Sequence, residues 1–166
     1  MIKNIIWTVV FVFVAATLES TLLGRLALYG AVPDIALGIL VYVAYANGIM
    51  TGQLCGFFSG LTLDLVSASP IGLNALVRTL IGALAGLIRG RVILDYFLVP
   101  AILCAVATMA KAVVLLPLSL VFEGVPSFRF SEPLFWAELA LNTLSAAPLF
   151  ALLRCFNSLL VGKEVR

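Results

Sequence analysis

The stretch Gly48-Ile49-Met50-Thr51-Gly52-Gln53-Leu54-Cys55-Gly56-Phe57-Phe58-Ser59-Gly60-Leu61-Thr62-Leu63-Asp64 carries glycine at every fourth position. Asp64 falls on the next step, and the turn Ser69-Pro70-Ile71-Gly72 follows. On a helix, positions four apart overlap and drift by roughly 40° per step, so Gly48, Gly52, Gly56 and Gly60 make a shallow groove that winds slowly along it. A second backbone can lie close in such a groove. After the turn, Gly82, Gly86 and Gly90 repeat the spacing, and Asn74 and Arg78 extend the same stripe toward the turn. Two small-residue stripes joined by a short turn predict a close helical hairpin.

Composition fixes the class around that hairpin. Hydrophobic residues make up 63% of the 166 residues and charged residues only 11%, against roughly a quarter charged in an average soluble domain. Mean hydropathy is +1.21, and no segment supplies polar residues at a surface-helix period over any length. The reading is an all-α integral membrane protein. A spanning helix takes about 20 apolar residues, so the chain has room for six and little else, a single polytopic membrane domain over 1–166. A net charge of +2, with no basic patch interleaved with aromatics, gives no argument for nucleic acid.

The motifs of enzyme chemistry are missing. There is no histidine, and Cys55, Cys104 and Cys155 each sit inside an apolar run, which argues against a thiolate–imidazole metal site. Neither a Gly-x-Ser-x-Gly elbow, nor a phosphate loop, nor a zinc-protease helix occurs. Neither catalysis nor a cofactor is expected.

In chain order, spans are expected at about 5–23, 33–45, 49–66, 71–88, 93–122 and 134–153. The first run is too long for a signal peptide and lacks a small-residue cleavage site. Pro33-Asp34 opens the second span, with proline in the first turn and an acidic group at the positive end of the helix dipole. Asn47-Gly48 is a tight break. Pro100 and Pro117 offer bends in the long fifth span, and the last residues, to Arg166, form an interfacial helical end. With both termini inside, cytoplasmic segments hold Lys3, Arg89, Arg91, Lys163 and Arg166, with Arg154 at that boundary. The outer loops then hold Arg25 and Arg129, as the positive-inside rule asks.

That orientation gathers the remaining charges, Glu19, Asp34, Asp64, Arg78, Lys111 and Glu138, into the outer half of the membrane. Each costs about 2.5 to 3.5 kcal/mol at mid-membrane, so partners are expected. Asp64 is expected to pair with Arg78 across the hairpin, with Lys111 and Glu138 as a second pair on neighbouring spans. Such pairs are either structural clamps or the walls of a polar pocket open to the outside. The glycine stripe, likewise, serves internal packing or docks a helix of another protein.

Pro33-Asp34-Ile35-Ala36-Leu37, then Gly56-Phe57-Phe58-Ser59-Gly60-Leu61-Thr62-Leu63-Asp64, then Ser69-Pro70-Ile71-Gly72 follow one another in an order and spacing that resembles the MreD family of rod shape-determining membrane proteins. The motifs cover about residues 33–91. The resemblance implies six spans in the bacterial inner membrane and a fold similar to the substrate-binding subunits of energy-coupling-factor transporters. It also implies a scaffolding role in cell-wall elongation. The partners it implies are MreC, a single-span periplasmic protein, the glycosyltransferase RodA with its transpeptidase partner, and the cytoskeletal MreB. Asp34, Asp64, Pro70 and Gly72 match the family pattern, and Arg78 joins them on physical grounds. The short cytoplasmic ends leave only Arg89, Arg91 and the last residues for a filament contact. The competing reading is a small-molecule-binding subunit of an energy-coupling-factor type transporter, with an outward pocket near Glu19, Asp34 and Glu138. Such subunits usually present Ala-x-x-x-Ala faces on the first span, and residues 5–23 have none.

Overall fold

The computed structural model describes residues 2–21, 30–67, 69–89, 97–121 and 132–162. These form helices α1 (Ile2–Thr21), α2 (Ile35–Asn47), α3 (Ile49–Val66), α4 (Leu73–Leu87), α5 (Leu98–Val121), α6 (Pro133–Cys155) and the short α7 (Asn157–Leu160). α1, α3, α5 and α6 are long and apolar enough to cross a membrane. α2 and α4 are apolar but have only 13 and 15 residues, about 20 and 22 Å of helix against a hydrocarbon core of about 30 Å.

Side chains are sorted in the sense that a lipid solvent requires. Asn4, Thr8, Ser59, Asp64, Arg78, Thr108, Glu138 and Asn142 are buried, whereas Val10, Phe13, Phe57, Phe58, Leu84, Val113 and Trp136 are exposed. Helices gain little from hiding apolar groups where the solvent is itself apolar, so polar groups turn inward to find partners. α2 is the exception that needs no lipid. Every residue from Ala36 to Tyr45 is buried, as expected of a helix that is hydrophobic on all sides.

The glycine hairpin is present and pairs in register. A methyl built on Gly60 would stand 2.6 Å from the Cα of Ala75, and one on Gly86 would stand 2.6 Å from the Cα of Ile49. Between them, one on Gly56 would fall on the backbone of Arg78, and Gly52 and Gly82 face each other backbone to backbone. Each step of four up α3 is thus a step of four down α4. Gly90, the last of the second stripe, lies outside the described residues, as do residues 93–96 of the expected fifth span. α5 runs unbroken from Leu98 through Pro117. Pro100 lies in its first turn, where a missing N–H leaves no helical bond unmade.

Asn47 closes the end of the bundle that holds the start of α1 and Gly162. Its Oδ1 accepts from Asn4 Nδ2 at 3.0 Å and from the Gly162 N–H at 2.7 Å. Its Nδ2 donates to the Leu160 carbonyl at 2.9 Å, and the Asn47 backbone carbonyl accepts from Arg89 Nη1 at 3.0 Å. Gly48, at φ 93°, then turns the chain directly from α2 into α3, a backbone conformation that residues with a Cβ rarely take.

Candidate functional site: a buried charge cluster around Asp34

At the other end of the bundle, the charged residues converge on the start of α2. Asp34 is its N-cap, and Oδ1 accepts from the Leu37 N–H at 2.8 Å. The same oxygen accepts from Arg78 Nη2 of α4 at 2.8 Å, and Oδ2 accepts from Lys111 Nζ of α5 at 2.8 Å. Lys111 also donates to Glu138 Oε1 of α6 at 2.8 Å, so the pair the sequence suggests is present as one arm of a larger cluster. The Asp34 N–H donates to Asn142 Oδ1 at 2.7 Å, and Asn142 Nδ2 donates to Thr108 Oγ1 at 3.0 Å. Glu19 of α1 receives the Ala36 N–H at 3.0 Å. The Asp34 carboxylate therefore ties together α2, α4 and α5, its backbone N–H and Lys111 bring in α6, and Glu19 attaches α1.

The expected Asp64–Arg78 pair is not formed. Asp64, 3% exposed in the last turn of α3, takes the first turn of α4 instead. Oδ2 accepts from the N–H groups of Gly72 at 2.9 Å and Ala75 at 3.2 Å, and Oδ1 accepts from the Asn74 N–H and Asn74 Nδ2, both at 3.0 Å. The physical reason is the unmet demand of a helix start. α4 begins after Gly72, which sits at φ 96° and has no side chain to cap with, so its orphan N–H groups recruit a carboxylate from across the hairpin. Arg78, 6% exposed, is left to find Asp34. Pro70 and Gly72 shape this turn; Pro33 precedes the hub.

Asp64→Ala is expected to cost about 3 kcal/mol, because several donors to a charged acceptor are left bare at a buried helix start. Combined with Arg78→Ala, the loss should be additive within about 0.5 kcal/mol. Unfolding midpoints in detergent test this; coupling above about 1 kcal/mol would instead put the two side chains in one interaction.

Asn142, Thr108 and Asn47 escape a reading based on charge, though an asparagine within an apolar helix is itself a signal that a partner is required. Gly38, outside both stripes, brings α2 against Leu149 of α6. A cavity of about 480 Å³ opens beside the cluster, lined by Glu19, Asp34, Lys111 and Glu138 with apolar walls that include Ala16, Val32, Leu63 and Val66. Among the described residues, no group of three or more acids and cysteines is placed to hold a metal ion.

This combination defines a class: an all-helical membrane protein whose buried ionic residues, among those described, join its own helices. No curated protein and no solved structure matches the chain. The sequence model of one family, described as rod shape-determining protein MreD, matches residues 1–156. The chain belongs to the MreD family, and with it to the membrane proteins of rod shape determination.

Proposed function

We propose that the chain is a non-catalytic scaffold of the bacterial cell-wall elongation machinery. It spans the inner membrane six times with both termini cytoplasmic and binds MreC. RodA with its transpeptidase partner, and MreB, are the further members of the assembly, and membrane lipid surrounds it. The observation that carries this reading is the internal use of charge: Arg78 and Lys111 both engage Asp34, and Lys111 engages Glu138. A body fastened in this way holds its outward helix faces at fixed positions, which is what a scaffold requires. The lysines and arginines support the orientation, since Lys3 and Arg89 sit at the Asn47 end.

Purification from mild detergent tests the reading. Retention of a coiled-coil single-span partner is expected, and depletion should round up rod-shaped cells. The cavity beside Asp34 is the observation that favours a transport subunit instead. A tightly bound vitamin, or a coupling protein with its ATPases, retained in that purification would establish that alternative and remove the scaffold.

A further inference from the structure

The cavity beside Asp34 is lined by an acid, Glu19, for which the described cluster has no basic partner. Two basic side chains, Arg78 and Lys111, meet three acidic ones, Asp34, Glu138 and Glu19. Both cations are engaged elsewhere, Arg78 on Asp34 and Lys111 on Asp34 and Glu138. Glu19 accepts a backbone N–H from Ala36 and meets no cation within ion-pair distance among the described residues. Arg78 Nη1 is buried with no hydrogen-bond partner among them, so its second amino group does not bond Glu19 either. A half-buried carboxylate in a medium of low dielectric attracts a counter-cation more strongly than one in water.

The shape of the cavity narrows what that cation is. The described acids are not grouped to hold a metal ion, and a volume of about 480 Å³ far exceeds the share of one water, roughly 30 Å³. Ala16, Val32, Leu63 and Val66 give it apolar walls. An ammonium on a short alkyl chain suits both features, with N–H groups toward Glu19 and Glu138 and methylenes along the wall. Val66 lines the cavity yet is 49% exposed, next to Leu65 at 73%, so the wall continues onto the lipid-facing side of α3. We propose that this cavity binds the aminoethyl headgroup of a phospholipid in the adjoining leaflet. The site stands whether or not the scaffold reading does.

The test uses the full chain in nanodiscs of mixed phosphatidylethanolamine, phosphatidylglycerol and phosphatidylcholine, with retained lipids counted by native mass spectrometry. Phosphatidylethanolamine should be retained about fivefold over both others, the gain expected of about one net hydrogen bond from its ammonium. Phosphatidylcholine is the telling competitor, because its trimethylammonium has the charge without the N–H donors. Glu19→Gln should erase the preference in a protein that still folds. Equal retention of the three lipids by the wild type overturns the proposal, as does a preference that survives Glu19→Gln. If that variant does not fold, a series of N-methylated phosphatidylethanolamines on the wild type decides: retention should fall with each methyl, and a flat series overturns the site. Displacement of the lipid by Nα-acetyl-lysine amide at equal concentration would assign the cavity to a protein side chain and overturn the lipid assignment.

Discussion

Asp34→Ala is expected to cost about 3 to 5 kcal/mol, the range for removing one partner of a buried ion pair and leaving the other charge behind. Here two cations lose the same carboxylate. Arg78 loses the one carboxylate it bonds among the described residues, Lys111 loses one of its two bonded carboxylates and keeps Glu138, and the Leu37 N–H at the start of α2 loses its cap. Against a total stability of about 5 to 15 kcal/mol for an ordinary domain, that is enough to abolish accumulation of folded protein. Asp34→Asn should be milder, because the amide oxygen can still cap α2. Adding Arg78→Met to Asp34→Ala should restore part of the loss by removing an unpaired buried charge. Folded yield and unfolding midpoint in detergent are the readouts. An Asp34→Ala protein within about 0.5 kcal/mol of the wild type would mean that the cluster does not hold the helices.

A comparable effect is expected at Gly56, by a different route. A methyl there would overlap the carbonyl group of Arg78, whose carbon lies 2.6 Å from the added atom. Backbone cannot swing aside as a side chain does, so Gly56→Ala must push α4 away from α3. Overpacking of this kind costs about 1 to 3 kcal/mol or more. Gly56→Leu should leave no folded protein, since the opposite stripe offers no room for a side chain. Separation also displaces Arg78 from Asp34, so the variant damages packing and electrostatics together. Leu84→Ala on the exposed face of α4 is the control and should be close to neutral. Unfolding midpoints of the three variants, measured together, check the ranking; a tolerated Gly56→Leu would show the hairpin to be looser than its backbone contacts require.

The hairpin is legible in the sequence because glycine at a four-residue spacing has a direct geometric meaning, and the register only requires that two such stripes meet. The Lys111–Glu138 pair is legible for a similar reason, since two opposite charges at one depth on neighbouring helices have few alternatives. The partner of Arg78 is not legible by the same logic. Asp64 is nearer in sequence, but the bare N–H groups following Gly72 compete for it, and a helix start that lacks a capping side chain outbids a guanidinium with another acid in reach. Asp34, 44 positions away along the chain, becomes that other acid only once α2 is placed inside the bundle. The central position of α2 has a visible cause in Ala36 to Tyr45, which offer no polar face. Its contacts with α6 through Gly38 and Asn142 have no periodic signal of their own.

The distances along the chain within the Asp34 cluster have a consequence for biogenesis. Asp34 precedes Arg78 by 44 residues and Lys111 by 77. A ribosome adding roughly 5 to 20 residues per second therefore delivers the acid seconds before either base. During that interval α2 has a carboxylate at its start and neither of its eventual counter-ions. The nascent segment must wait at the water boundary, or carry a proton inward, until α4 and α5 emerge. Settling of α2 at the centre is thus a late event, timed by the arrival of the later helices.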